Sequence, residues 1–136
     1  LCLALSRSGS LKKLNLDRNF RSYKTRNFIG GIIELNKLVA NNPILTTLSL
    51  RGGPKNCLKA DIVPFLMELS RSTTLTSLDV SGHAGGGPIA LALGKLLSRN
   101  HTLRVLNWDE NNVTLAGYQV SIFDNKKKKK KKNDWM

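Results

Sequence analysis

Leu75-Thr76-Ser77-Leu78-Asp79-Val80-Ser81-Gly82-His83 decides the fold, because it returns through the chain in altered form. It is present as Leu11-Lys12-Lys13-Leu14-Asn15-Leu16-Asp17-Arg18-Asn19 and as Leu45-Thr46-Thr47-Leu48-Ser49-Leu50-Arg51-Gly52-Gly53. The fourth copy is Leu103-Arg104-Val105-Leu106-Asn107-Trp108-Asp109-Glu110-Asn111. The copies begin 34 residues apart (45 minus 11), then 30 (75 minus 45), then 28 (103 minus 75). Within each, apolar and polar residues alternate, the period-2 signature of a strand with one buried face. Leu14 and Leu16 then point one way, and Lys13, Asn15 and Asp17 the other.

An L-x-x-L-x-L block recurring at about 20–29 residues marks a leucine-rich repeat. Helical patterns fill the intervals. The first is the end of a helix at Leu1 to Arg7. A second, at about Ile32 to Ala40, has the stripe Ile32, Leu35, Val39 and is ended by Asn41-Asn42-Pro43. The third, Ile62 to Ser70, has Asp61 as its expected N-cap and the stripe Ile62, Leu66, Leu69. Pro88 suits the opening of a fourth, with Ile89, Leu93, Leu96 and Leu97 as its buried side. Leu115 to Phe123 begins another, which runs into lysines. Strands joined through helices are parallel. The expected fold is an α/β leucine-rich-repeat solenoid, a curved horseshoe fragment with strands on the concave face and helices on the convex one. Such a fold presents a surface, so the question becomes what is bound.

The net charge is +13, and removing the seven lysines of Lys126–Lys132 leaves +6. The organisation read from this is a repeat region over 1–125, about four repeats incomplete at both ends, and a lysine-rich disordered tail over 126–136. The tail falls where the repeat calls for more leucines, and AAA codons read in frame give polylysine, so it is read as a sequence artefact ahead of a selected element. Cys2 and Cys57 share no spacing motif, so neither a disulfide framework nor a metal site is expected. No apolar run reaches the 18 or so residues of a membrane span. Without capping repeats, self-association through the exposed ends is expected.

The fourth copy narrows the class. The pattern N-x-x-L-x-x-L-x-L resembles the helical, ribonuclease-inhibitor-like repeats. Residues 93–119 place Trp108 where the last strand leucine belongs and follow it with Asp109-Glu110-Asn111-Asn112-Val113-Thr114-Leu115-Ala116-Gly117-Tyr118. That departure resembles the CARMIL family, cytoplasmic scaffolds that regulate actin capping protein, closely over 75–119 and loosely over 11–70. The resemblance implies a scaffold role and a cytoplasmic, cytoskeleton-associated location. It carries no capping-protein-binding residue to this chain, because that segment of the family lies beyond the repeats.

Two surfaces are candidates for binding. One is the polar row of the strands: Lys13, Asn15, Asp17, Ser49, Arg51, Asp79, Asn107 and Asp109, where repeat proteins hold partners. Asp17, Arg51, Asp79 and Asp109 are expected to form cross-strand ion pairs there. The other is the basic insertion of the first interval, Arg21, Tyr23, Lys24 and Arg26, whose cations alternate with aromatics as a phosphate- or base-binding loop does. A solvated loop, with Phe20 and Phe28 tucked into the core, is the plainer account of it. His83, His101 and Cys57 lack metal-ligand spacing; the two histidines are read as surface residues and Cys57 as a free thiol. Gly85-Gly86-Gly87 lacks the Lys-Ser/Thr of a phosphate loop and is read as a flexible connection. No catalytic residue, cofactor or metal is expected. The leading function is a non-enzymatic protein-interaction scaffold of a CARMIL-like actin regulator. A second reading is a nucleic-acid- or anionic-lipid-binding module using loop 18–28 and the lysine tail. A third is another repeat protein, tropomodulin-like or GTPase-activating.

Overall fold

A computed structural model describes residues 2–20 and 28–112. In chain order these form α1 (Cys2–Ser6), β1 (Lys13–Asn15), α2 (Phe28–Asn41), β2 (Thr47–Ser49), a 3-10 turn (Lys59–Ile62), α3 (Val63–Leu69), β3 (Ser77–Asp79), α4 (Gly86–Arg99) and β4 (Val105–Asn107). The four strands make one parallel sheet in the order β1-β2-β3-β4. Leu14, Leu48, Leu78 and Leu106 stand in one register row, so the four sequence copies are aligned residue for residue. This α/β arrangement is consistent with a leucine-rich-repeat-like plan.

Regular strand pairing covers three residues in each copy. Parallel bonding nevertheless runs on beyond it. Leu16 N–H donates to Ser49 O at 2.8 Å and Arg18 N–H to Arg51 O at 2.7 Å. The same pair of bonds joins Leu50 to Asp79 and Gly52 to Ser81, then Val80 to Asn107 and Gly82 to Asp109. The inner row packs against the helices in one core. It contains Leu48, Leu50, Leu78 and Val80 with Leu38, Ile62, Phe65, Leu66, Ile89 and Leu96. α1 packs on α2, α2 on α3, and α3 on α4, each helix meeting its neighbour in sequence.

The ends of the helices are tied to the next strand by one recurring device. Asn42 accepts from the N–H groups of Ile44 and Leu45 and donates to Leu5 O in the preceding unit. Asn100 does the same with Thr102 and Leu103, donating to Leu69 O and Ser72 O. The amide closes the chain reversal and pins it to the unit before, leaving few polar groups without partners.

Several expectations are corrected. α2 begins at Phe28 and includes Gly30 and Gly31, which the sequence suggested would precede it. Leu38 is fully buried in it beside the expected Ile32, Leu35 and Val39. Asp61 caps nothing: it lies within the 3-10 turn, and α3 starts at Val63 without a side-chain cap. Leu97 is exposed, because it lies about 100° around the helix from Leu96, while Ala90, Ala92 and Gly94 are buried instead. The glycine run is no loose connection, since Gly86 and Gly87 open α4. A Cβ at Gly85 would fall 2.1 Å from Ile89 Cδ1 and 3.0 Å from Lys59 O. The helix of Leu115 to Phe123 and the lysine run lie outside the described residues.

Candidate functional site

The outer row of the sheet holds the candidate partner-binding residues; Lys13 stands beside Thr47 at the strand start, and the register sorts the others into two lines. Asn15, Ser49, Asp79 and Asn107 are directly adjacent across the strands. Asp17, Arg51, Ser81 and Asp109 follow two residues later in each copy. Asp79 therefore belongs with the asparagines and not in the row of ion pairs expected from the sequence.

The first line does local structural work. Asn15 accepts from Asp17 N–H at 2.8 Å, Asp79 from Ser81 N–H at 2.9 Å, and Asn107 from Asp109 N–H at 3.3 Å. These are Asx turns that close the strand ends. Ser49 does not make the equivalent bond, since its hydroxyl donates to Asp17. Asp17 reaches across from β1's unit instead, accepting from Arg51 N–H at 2.7 Å and Ser49 Oγ at 2.6 Å. Burial raises the Asp17 pKa, but Ser49, the Arg51 amide, Asn15 and the Arg51 charge outweigh it and hold the carboxyl below its usual value. Asp79 is likewise occupied, by Ser81 Oγ at 2.6 Å and Asn107 Nδ2 at 3.1 Å. The Arg51 guanidinium pairs with Glu110 at 3.2 Å, spanning two units, where the sequence suggested aspartate partners. Exposed as both are, the pair contributes about 0–1 kcal/mol.

The structure also corrects the reading of His83 as a surface residue: it is fully buried. Its Nδ1 accepts from Leu58 N–H at 3.1 Å, so Nε2 carries the hydrogen and donates to Leu50 O at 2.6 Å. Its own N–H donates to Asn111 Oδ1, and Phe20 packs edge-on against the ring at 5.3 Å. Burial pushes the imidazole below its usual pKa, against the opposing effects of the Leu50 bond and Asp79. A signal for this was present. His83 shares a column with Asn19, Gly53 and Asn111 at the ninth position of each copy. Asn111 there donates to Val80 O and Trp108 O, tying β4's unit to β3's. His101 is exposed and Cys57 is a half-buried free thiol.

Arg21, Tyr23, Lys24 and Arg26 lie outside the described residues. Phe20, just before them, is half-buried and packs against the core as expected. Among the described residues, no group of three His, Cys, Asp or Glu side chains could hold a metal ion. No helix among them is long and apolar enough to cross a membrane. An open cleft of about 640 Å³ lies between the C-terminal ends of α2 and α3, lined by residues including Asn36, Asn42, Glu68 and Thr74. Of its charged lining residues, Lys37 pairs with Glu34 and Arg71 with Glu68.

The chain is 36% identical over 126 residues, 90% of its length, to Protein CARMIL of Dictyostelium discoideum. It is 34% identical over 121 residues, 88% of its length, to the Rho GTPase-activating protein gacW of the same organism. It spans 12% and 11% of those two proteins, and so corresponds to one region of each. The chain is thus homologous to a region of CARMIL. No family model matches it.

Proposed function

We propose that this chain is a non-catalytic protein-interaction module of a CARMIL-like regulator of actin assembly, built as a leucine-rich-repeat solenoid and working in the cytoplasm at the cytoskeleton. The carrying observation is the 36% identity to CARMIL across 90% of the chain. That a Rho GTPase-activating protein matches nearly the same length favours a module used for binding in two settings. The geometry agrees: an open polar sheet face with its inner row packed on helices offers a broad docking surface. A tagged full chain expressed in Dictyostelium cells is expected to concentrate at the actin-rich edge beyond free fluorescent protein. A uniform or purely nuclear distribution overturns this reading. In a GTP-hydrolysis assay with a Rho-class GTPase the chain is expected to give no acceleration. Acceleration would replace the binding role with the GTPase-activating one that gacW's name suggests.

A further inference from the structure

We infer that the strand-start half of the open sheet face binds an acidic protein segment bearing an apolar side chain, with Lys13 and Val105 as the anchors. This deepens the interaction-module reading and rests on it. The two halves of the face differ in what they leave available. At the strand ends, the carboxylates of Asp17 and Asp79 are engaged by neighbouring hydroxyls and amides, and Arg51 is paired with Glu110. A partner would have to displace those contacts. At the strand starts, Lys13, Thr47, Ser77 and Val105 share one register row. Lys12, Thr46, Thr76 and Arg104 immediately precede them.

These eight residues include three cations and no carboxylate. Lys12, Lys13 and Arg104 are all exposed, and none forms an ion pair among the described residues. Between them, the Thr46 and Thr76 hydroxyls donate to the carbonyls of Lys12 and Thr46. Val105 is 59% exposed, above Ile33 at 48%, Leu97 at 44% and Leu91 at 41%. The row therefore offers positive charge at both edges, a hydroxyl floor, and one apolar contact over β4. Three inter-strand steps of about 4.8 Å make it roughly 14 Å wide, the span of four or five extended residues. Charge complementarity selects an acidic segment. The apolar contact selects a protein side chain over a phosphate backbone, since the eight residues contain no aromatic ring on which a base would stack.

The test uses the full chain and a fluorescein-labelled, acetylated peptide Glu-Glu-Leu-Glu-Glu, read by fluorescence anisotropy. Lys13→Glu is expected to weaken binding about tenfold and Val105→Asp at least about threefold. Lys95→Glu on exposed α4 should change it less than about twofold. Replacing the peptide leucine by serine should weaken wild-type binding and leave Val105→Asp binding unchanged, the coupling expected of direct contact. Circular dichroism should be unaltered in each variant, since Lys13, Lys95 and Val105 are exposed. Equal binding by wild type and both variants overturns the inference, because the peptide is then held by other cations, those of the lysine run or of the basic insertion, and leaves the interaction-module reading standing. Displacement of the peptide by oligo(dT) at lower concentration than by the unlabelled peptide also overturns it, in favour of nucleic acid. A wild-type chain that never reaches the cell edge defeats the module reading whatever the peptide does.

Discussion

His83 shows how much one side chain can connect. It joins Leu50 and Leu58 of one unit to Asn111 two copies on, through two ring nitrogens and its amide. Removing the ring in His83→Ala orphans a buried carbonyl and a buried N–H, so we expect a loss on the order of 2–4 kcal/mol, read as a lower urea midpoint. The same geometry fixes a pH dependence. Protonation needs a hydrogen on Nδ1, where Leu58 N–H already points, and burial disfavours the charge. The unfolded imidazole binds its proton near pH 6.5 and the folded one only lower. The stabilisation is thus complete above about pH 6.5 and falls as the pH drops below it. Urea titrations at pH 7.5 and 5.5 should show a larger drop for wild type than for His83→Gln. Equal drops would place the proton elsewhere. Asp17 acts in a separate window: its lowered pKa gives stability that is present above 3.8 and lost below it.

At the scale of elements, the four copies gave the right strands, the right register and most of the buried stripe, because burial alternates with a period the residues themselves carry. What escaped was set by packing between units. Leu97 is as apolar as Leu96, and the side of α4 that faces the neighbouring unit decides that one is buried and the other exposed. Asp61 has the chemistry of a cap, but a 3-10 turn precedes α3 and moves the helix start past it. Ser49 breaks the Asx pattern, and its repair by Asp17 comes from the neighbouring strand, which no local window contains. The candidate row was therefore legible as a surface, while the division into occupied and available side chains was not. The crossing of Gly52 with Gly82 is the sharpest case. A Cβ at Gly52 would fall 2.5 Å from Gly82 O and 2.9 Å from His83 Nδ1. Backbone cannot yield there without breaking the Gly52–Ser81 bond at 2.8 Å. Gly52→Ala should cost on the order of 2–4 kcal/mol by thermal or urea denaturation, whereas Gly31→Ala, with open space around it and a helical position, should be neutral or stabilising. Comparable losses in the two would refute the crowding argument.

Across the whole molecule, each element packs on its neighbours in sequence, and stability is expected to be distributed accordingly. Burial is densest in the middle. Leu48, Leu50, Leu78, Val80 and Phe65 are almost wholly enclosed, whereas Leu14 and Leu16 of the first copy and Leu106 and Trp108 of the fourth are half-buried. Local opening free energy follows buried apolar contact and protected backbone bonds. Amide exchange should therefore be slowest for Leu50, whose N–H is bonded to Asp79 O, and Val80, bonded to Asn107 O, and faster for Leu16, bonded to Ser49 O. Substitutions should grade in the same order. Phe65→Ala empties a closed site and should cost about 3–5 kcal/mol. Trp108→Ala removes a larger ring from a half-open site and should cost less, although a simple count of atoms predicts the reverse. Urea denaturation of the two variants, with exchange measured on the wild type, separates the accounts. A Trp108 variant as damaged as the Phe65 one, together with uniform exchange, would mean that the units unfold as one closed core.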